Sequence, residues 1–479
     1  MPACIVFATV GFTRPLHQEC GNYGSAVSVR MVYHNPCCGI RVQAVKKRSS
    51  KEKIKEDFVM NQEGKVQELE KLPGENRNTI IASLQSERTR DKKIPYRETP
   101  VNKLFPDGVT IKEVLDKKRL KIFIDFPNRL YKGSRYYVPQ LKKDIENTFD
   151  QRKNPAYEFC EARYWLAYKE NRVVGRIAGV INHAFNDKWG KKYVRFGWID
   201  FEKEEGIARQ LLEQVEEWAR EKGMEAVHGP LGFTNFDYAG MLTEGFSETG
   251  TFATIYNYSY YPELVEKAGY KKETGWVEYK IKITGTVPEI IGRAAAVVEK
   301  RLQLKVIRPV KMKEILPFAL KIFELINTAY DGLFGVVPMT DKQVQYNISK
   351  YLGFLKPEFV SIILDKNGDL AAFGITMPSL SNALQKAKGK LYPFGFLHLL
   401  KAFRKNKYAD LCLVAVRRDL QGKGVNAILI REINEAFIRN GIEYVESNPE
   451  LEENTRVQSQ WDYYEKQQHK RRICYIKYL

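Results

Sequence analysis

The sequence lacks a membrane-spanning apolar run, and it lacks the closely spaced cysteines of a structural metal site. No apolar run approaches the roughly 20 residues that a helix needs to cross a bilayer, which argues against a transmembrane protein. Cysteine is sparse, with seven in the chain, and only Cys160, Cys412 and Cys474 lie beyond residue 40. Their spacing fits neither a zinc site nor a disulfide framework. We therefore predict a cytoplasmic protein that binds no metal.

Acidic residues are too few to balance the basic ones. The chain of 479 residues, long enough for two domains, has 77 Lys and Arg against 58 Asp and Glu, a net charge of +19. This excess favours a polyanionic neighbour, namely nucleic acid, an anionic membrane face or a phosphorylated cofactor. Many basic proteins bind no polymer at all. Because the sequence contains no recognisable nucleic-acid-binding motif, a nucleic-acid-binding regulator is the least favoured class.

The first hundred residues differ from the rest of the chain. Residues 1–40 have almost no charge, whereas the segment from Lys46 to Arg97 is polar and charged and cannot bury enough apolar surface to order itself. We predict that residues 1–104 are a disordered leader or an over-extended N-terminus, since Met31 and Met60 offer later starts. A targeting extension is the alternative, although the segment lacks the features of a secretory signal.

From Val109 onward, strand and helix patterns alternate and then repeat. In the first half, β-branched and aromatic runs predict strands over 164–170, 172–182, 194–201, 226–231 and 276–283, with helices over 204–223 and 261–269. The second half repeats this order, with strands in KVIRP and RRICYIKYL and over 359–366, 370–377, 408–418 and 444–449, and helices over 313–330 and 425–441. Each half also has a proline after its post-helix strand and an asparagine five residues later, Pro230 with Asn235 and Pro449 with Asn454. We predict two copies of one mixed-sheet α/β fold, residues 105–290 and 291–479.

The stretch QGKGVN (421–426) follows a predicted strand and opens a predicted helix. At that position the first N–H groups of the helix lack partners, and the helix dipole adds partial positive charge, so a phosphate group is well placed to bind. Gly422 and Gly424 allow the backbone to approach an anion closely, and Lys423 adds a mobile positive charge. The alternative is an ordinary strand-to-helix turn, because the loop has neither the P-loop form nor the full dinucleotide pattern.

VAVRRDLQGKGVNAILI (414–430) resembles the pyrophosphate-binding signature of the GNAT superfamily of CoA-dependent N-acyltransferases, Gln/Arg-x-x-Gly-x-Gly/Ala. Gln421 and Gly424 match this signature, while Asn426 replaces its final Gly/Ala. The resemblance implies a tandem pair of GNAT-like domains. It also implies acetyl-CoA or a longer acyl-CoA as co-substrate, held in the second half by Gln421, Gly422, Lys423, Gly424, Val425 and Asn426. The first half, with FEKEEGIAR at the matching place, is then degenerate.

The resemblance implies further roles for individual residues. Backbone N–H groups near Val414–Val416 polarise the thioester carbonyl. Glu446 is the first choice for the base that takes the amine proton and Glu450 the second, although both fit solvated surface glutamates as well. For the acid that protonates the thiolate, Tyr464 in YYEK matches one alignment, whereas a count from Asn454 gives Trp461. Asn454 either binds the pantetheine or caps the following helix.

Two other stretches complete the set of candidates. Asn235 and Asp237, in the loop GPLGFTNFDYAG (229–240), either line an acceptor pocket or stabilise a turn. KLYPFGFLHLLKAFRKNK (390–407) has an apolar body between basic ends, which suits a membrane-surface segment or the mouth of a lipid pocket; an amphipathic helix packed on the core is the alternative. There His398 is expected to be a packed residue.

The sequence therefore favours an N-acyltransferase with a small-molecule or lipid amine as acceptor, in peripheral contact with the inner face of an anionic membrane. The competing enzyme takes its acyl group from aminoacyl-tRNA. The oligomeric state is not defined by any of these patterns.

Overall fold

In the computed structural model of the chain, the described residues are 102–105 and 108–479, preceded by three short strands. These strands form an antiparallel sheet in a compact unit of residues 13–99: β1 (Ser28–Val32), β2 (Arg41–Val45) and β3 (Asp57–Val59). They fall within the predicted disordered leader. The rest of residues 1–101 lies outside the described residues, so the prediction of a leader stays a prediction.

The larger compact unit contains Pro100–Leu479. Its first half has, in chain order, β4 (Asn102–Leu104), β5 (Val109–Glu113), α1 (Lys117–Leu130), α2 (Lys142–Thr148), β6 (Cys160–Lys169), β7 (Arg172–Asn182), α3 (His183–Trp189), β8 (Tyr193–Phe201), α4 (Glu205–Glu221), β9 (Ala226–Gly229), β10 (Met241–Glu244), α5 (Tyr260–Lys267) and β11 (Lys271–Lys282). Because β4 pairs with β5, this half begins three residues before the predicted boundary at 105.

The second half repeats the alternation of the first. It has α6 (Glu289–Arg301), β12 (Lys305–Ile307), α7 (Met312–Ile315), α8 (Ala319–Ala329), α9 (Asp341–Tyr351), β13 (Val360–Leu364), β14 (Leu370–Pro378), α10 (Ser381–Ala387), α11 (Gly395–Arg404), β15 (Tyr408–Val416), α12 (Val425–Arg439), β16 (Tyr444–Glu446), β17 (Glu450–Leu451), α13 (Thr455–Gln458) and β18 (Lys466–Tyr478).

Fifteen of the described strands form one mixed sheet that runs through both halves. Its order is β12-β13-β14-β15-β16-β11-β18-β9-β8-β7-β6-β5-β4, with β10 beside β18 and β17 beside β11. Two strands are exchanged between the halves: β11, from the first half, pairs with β16, and the C-terminal strand β18 pairs with β9. The long antiparallel ladder between β11 and β18 then joins the two exchanged strands. The mixed α/β fold class is confirmed.

Helices cover both faces of the sheet in each half. The first half buries α4 on one face and α1 on the other, and the second half buries α6 and α12 on one face and α8 and α10 on the other. Close helix packing depends on small residues in the strands. A Cβ on Gly179 of β7, for example, would lie 2.9 Å from the Trp218 ring of α4. Among the described helices, none is both long and apolar enough to span a bilayer.

Two predicted elements differ from the structure. The helix predicted over 313–330 is interrupted by a 3-10 turn at Leu316–Phe318, because Pro317 has no N–H to continue the helical hydrogen bonds. The strand predicted over 444–449 ends at Glu446, since Asn448 adopts a φ of 60° and Pro449 follows it.

Candidate active site

A gap opens in the sheet of the second half between β15 and β16. The two strands pair in parallel only as far as Asp410 with Glu446, although β15 continues to Val416. Its register against β14 shifts there, because Ile375 and Thr376 oppose Leu413 and Leu411 and leave Cys412 as an extra, bulged residue. Bulges bend a strand and end its pairing. One edge of β15 therefore faces the gap, not β16.

The groups on this edge are fixed by hydrogen bonds from other elements. The Val414 carbonyl accepts the Tyr330 hydroxyl at 2.8 Å, and the Val416 carbonyl accepts Nε2 of Gln421 at 2.9 Å. A residue in an antiparallel strand points its N–H and its C=O to the same side. The N–H groups of Val414 and Val416 consequently face the gap, and they are the predicted donors to a thioester carbonyl.

The loop between β15 and α12 has the backbone of an anion cradle. Gly422 and Gly424 have φ angles of 73° and 86°, which non-glycine residues rarely adopt, and Gly424 is the N-cap of α12. Residues 422–424 are exposed. The helix begins at Val425, so its first N–H groups point to this loop without intrahelical partners. These features fit the pyrophosphate of CoA.

The basic side chains around this loop differ in whether they form ion pairs. Arg417 is committed to two carboxylates, at 2.8 Å from Asp365 and 2.7 Å from Asp419. Lys423 is exposed and forms no ion pair with any residue that the structure describes. Lys423 is therefore the free cation that the loop offers to an anion.

Asp410, a buried carboxyl that is not among the predicted site residues, lies at the foot of the gap. It is fully buried and stands beside Glu446 in the parallel register. Burial and the Glu446 carboxylate raise the pKa of Asp410 to about 8, against opposing effects of the Ser379 hydroxyl and the Lys470 ammonium. A carboxyl with such a pKa is matched to proton transfer near neutral pH. The one sequence signal was an acid inside the apolar run YADLCLVAV.

The predicted base Glu446 has a different environment from Asp410. Its carboxylate lies 2.7 Å from Nζ of the buried Lys470 and 3.2 Å from Nε2 of His469. Although burial opposes them, these partners lower the pKa of Glu446 to about 2. A carboxylate so strongly ionised is a weak base. Of the two neighbouring carboxyls, Asp410 is the better candidate for the base.

The second choice of base, Glu450, and both candidate acids lie near one another on the α12 side. The indole N–H of Trp461 donates to Glu450 Oε1 at 2.8 Å, and burial raises the pKa of Glu450 to about 8. Trp461 and Tyr464 line one groove beside α12. Tyr464 accepts Nδ2 of Asn434 at 2.8 Å, and burial raises its pKa to about 12. Only Tyr464 has a hydroxyl proton to give.

Asn454 begins a short helix, as the cap alternative predicts. Asn454 does occupy the N-cap position of α13, but its side chain makes no capping hydrogen bond. The helix is a single turn whose first bonds are accepted by the Asn454 carbonyl, from Val457 at 3.0 Å and Gln458 at 3.3 Å. The pantetheine role of Asn454 stays a prediction.

An apolar cleft reaches β15 from the opposite face of the sheet. It encloses about 840 Å³, its open mouth included, and brings Cys412 together with Leu380 and Leu384 of the α10 region and Trp198 of the first half. Asp237 also lines this cleft, and its carboxylate accepts the Thr234 N–H at 2.9 Å. Burial raises the pKa of Asp237.

The other predicted substrate residue lies elsewhere. Asn235 lines a separate pocket beside Trp276 and Phe334. The structure therefore separates the two predicted substrate residues and leaves only Asp237 beside the strand with the gap.

Tyrosine side chains occupy the equivalent edge in the first half. The N–H of Phe201, at the end of β8, donates to the Tyr261 hydroxyl at 2.8 Å, and its carbonyl accepts the Tyr260 hydroxyl at 2.7 Å. The loop that follows carries Glu202 and Glu204, which form ion pairs with Arg172 and Lys169. These contacts support the interpretation that the first half has no thioester site.

Comparison with known proteins gives one family and several relatives. Residues 133–229 match the model of the acetyltransferase (GNAT) family. The chain is 25% identical to Protein YghO of Escherichia coli K12, over 77% of this chain and 95% of that protein. It is 26% identical to the bacterial ceramide synthase of Caulobacter vibrioides, over 63% of this chain and 79% of that protein.

Among solved structures, the chain is similar to a tandem GNAT protein from the clavulanic acid biosynthesis pathway. The two share 12% identity, with a TM-score of 0.45, over 77% of this chain and 98% of that one. The family match covers β6 to β9 of the first half. Residues 133–229 thus match a domain of the GNAT acetyltransferase family, which supports an acyltransferase.

Proposed function

We propose that the chain is an N-acyltransferase that moves an acyl group from acyl-CoA to an amine, with the reacting centre in the second half. The observation that carries the proposal is the position of Asp410, a buried carboxyl with a pKa of about 8 at the foot of the gap between β15 and β16. The glycine loop at the start of α12 supports it, because the loop offers N–H groups and a free lysine to the pyrophosphate.

In the proposed reaction, the amine nitrogen attacks the thioester carbonyl carbon and the C–S bond breaks. Asp410 removes the proton from the attacking amine. The N–H groups of Val414 and Val416 stabilise the negative charge on the carbonyl oxygen, and Tyr464 returns a proton to the thiolate. Glu446 is the ionised neighbour that helps to raise the pKa of Asp410 to about 8. The Asp410 carboxylate, once it has lost its own proton to solvent, is therefore basic enough to accept the proton of the amine.

The finer proposal is that both substrates carry long alkyl chains. The apolar cleft beside Cys412 adjoins a second cleft of about 890 Å³ in the first half, and both are lined by Ile145, Trp198 and Tyr238. Two adjoining clefts provide space for two chains. One of the relatives is named a bacterial ceramide synthase, which agrees with a lipidic amine as acceptor.

The competing proposal, an acyl donor in the form of aminoacyl-tRNA, is supported by the net charge of +19. Phosphate contacts with RNA weaken steeply as salt rises. This donor would be favoured if the chain bound tRNA tightly, with a steep salt dependence, and did not bind acyl-CoA.

Calorimetric titration with acetyl-CoA and palmitoyl-CoA tests the donor. We expect the intact chain to bind palmitoyl-CoA more tightly, and Gly424→Trp to lose binding because the side chain fills the cradle. Since an added Cβ there also lies 2.9 Å from Val298, Lys423→Glu serves as a milder variant. Gly441→Trp is the matched control, because Gly441 has a φ of 67° at the other end of α12 and no atom near an added Cβ. Failure of the intact chain to bind either thioester would refute the proposal.

A further inference from the structure

The segment 390–407 presents an exposed apolar face. Tyr392 and Phe394 are 73% and 69% exposed, and Leu397 and Leu400 on α11 are 50% and 47% exposed, with Phe396 beside them. Within α11 itself, only Gly395 and Leu399 are buried. Large apolar side chains clustered in this way on a protein surface mark an interaction site. The alternative from the sequence, a helix packed on the core, accounts for only the inner edge of α11.

The same surface is basic, and the surrounding sequence has no acidic residue between Asp369 and Asp410. Six exposed cations flank the apolar side chains in the sequence: Lys386, Lys388, Lys390, Lys401, Arg404 and Lys405. None of the six forms an ion pair with any residue that the structure describes. The next cation, Lys407, is paired with Glu443 at 2.7 Å. Exposed apolar side chains with unpaired cations on both sides in the sequence complement a surface that is apolar inside and anionic outside.

The inner side of α11 connects this face to the cleft. Leu399 packs into the same core cluster as Leu384 of α10, and Leu384 lines the cleft that reaches Cys412. The segment between the two helices is held against the first half, where the Gly389 carbonyl accepts the Lys142 N–H at 2.9 Å. The exposed face is thus one helix away from the cleft.

We propose that this face, formed by residues 386–405, docks the protein on the surface of an anionic lipid bilayer. The aromatic and leucine side chains enter the boundary between headgroups and acyl chains, and the six cations lie at the level of the anionic headgroups. The face thereby holds the cleft against the membrane that contains a lipidic amine. This access role depends on the proposed function, whereas docking on the bilayer does not.

Vesicle flotation with the full chain tests the docking. We expect binding to vesicles of phosphatidylcholine with phosphatidylglycerol, at least tenfold weaker binding to phosphatidylcholine alone, and release at high salt. The variant Phe394→Ser/Leu397→Ser/Leu400→Ser should lose at least tenfold in vesicle affinity. The pair Lys401→Glu/Arg404→Glu should lose the preference for anionic vesicles.

The matched control is Ile290→Ser/Val297→Ser, which removes two exposed apolar side chains from α6 and should bind vesicles as the original chain does. Absence of vesicle binding by the original chain, or equal loss in the control, overturns the proposal. A dimer in sedimentation that the triple variant disperses, without vesicle binding, would assign the face to a second copy and also overturn it. Thioester binding measured by calorimetry in the absence of lipid is unaffected by this face, so failure of docking and failure of the proposed function are distinguishable.

Discussion

Asp410 and Arg195 occupy equivalent positions in the two halves of the sheet. Each is the last residue of its strand that pairs in parallel with the next strand, Asp410 with Glu446 and Arg195 with His228. Arg195 is buried and donates to the Gly232 carbonyl at 3.0 Å, and a guanidinium cannot act as a base. The position that offers a proton acceptor in the second half is therefore occupied by a fixed cation in the first.

Replacement of Asp410 by asparagine should lower kcat about 10² to 10⁴-fold, the usual contribution of a general base. Because the pKa of Asp410 is raised to about 8, kcat/KM of the original chain should rise with pH up to about 8. The variant should lose this rise while it binds palmitoyl-CoA normally. Steady-state rates from pH 6 to pH 9 check both statements, and an unchanged profile would exclude Asp410 as the base.

Asp410→Asn should lower kcat but raise the stability of the folded chain at alkaline pH. The folded chain holds the Asp410 proton to a higher pH than the unfolded chain does, so this stabilisation is complete below the unfolded pKa of roughly 4 and is lost as pH rises through about 8. Asp410→Asn carries no charge and should melt at a higher temperature than the original chain at pH 8.5, with a smaller difference at pH 5. Thermal unfolding at both pH values measures this. A variant that melts lower at pH 8.5 would contradict it.

Glu446→Gln should destabilise the chain by about 3 kcal/mol, because it leaves the buried Lys470 without its closest counter-ion. The pKa of Glu446 is lowered to about 2, so its stabilising effect is present above the unfolded pKa and is lost as pH falls toward 2. Urea unfolding at pH 7 and pH 3 should show a larger difference between variant and original at pH 7. Glu435→Gln, on the outer side of α12, is the control and should change little at either pH.

Tyr464→Phe and Trp461→Phe together decide which residue protonates the thiolate. If Tyr464 is the acid, its variant loses about 10² in kcat with little change in KM for the thioester. The Trp461 variant loses instead the hydrogen bond to Glu450 and should be less stable, with kcat largely retained. Rates and melting temperatures of both variants check this, and a larger loss of kcat in Trp461→Phe would reverse the assignment.

The sequence predicts the local elements well and the long-range ones poorly. The strands β6 and β7 follow from their β-branched and aromatic runs, and the KNGD hairpin from its Gly368, which has a φ of 84°. The exchange of β11 and β18 cannot be predicted from the sequence, because the residue pattern of each strand is equally compatible with pairing in its own half or in the other half.

The loop at 421–424 was predictable from the sequence because its chemistry is local. Asp410 was not, since its raised pKa depends on Glu446, Ser379 and Lys470, which three separate segments bring to it. Glu446 was predictable as a carboxylate on the strand after the cofactor helix. Its ion pair with Lys470 was not.

The exchanged strands have a consequence for biosynthesis. The first half lacks the neighbour of β9 until β18, at residues 466–478, has left the ribosome. A nascent chain therefore exposes the edges of β9 and β11 during synthesis of the second half, and β18 closes both edges when it emerges. Separate expression of residues 105–290 should therefore yield an aggregation-prone fragment, which co-expression with residues 291–479 would rescue.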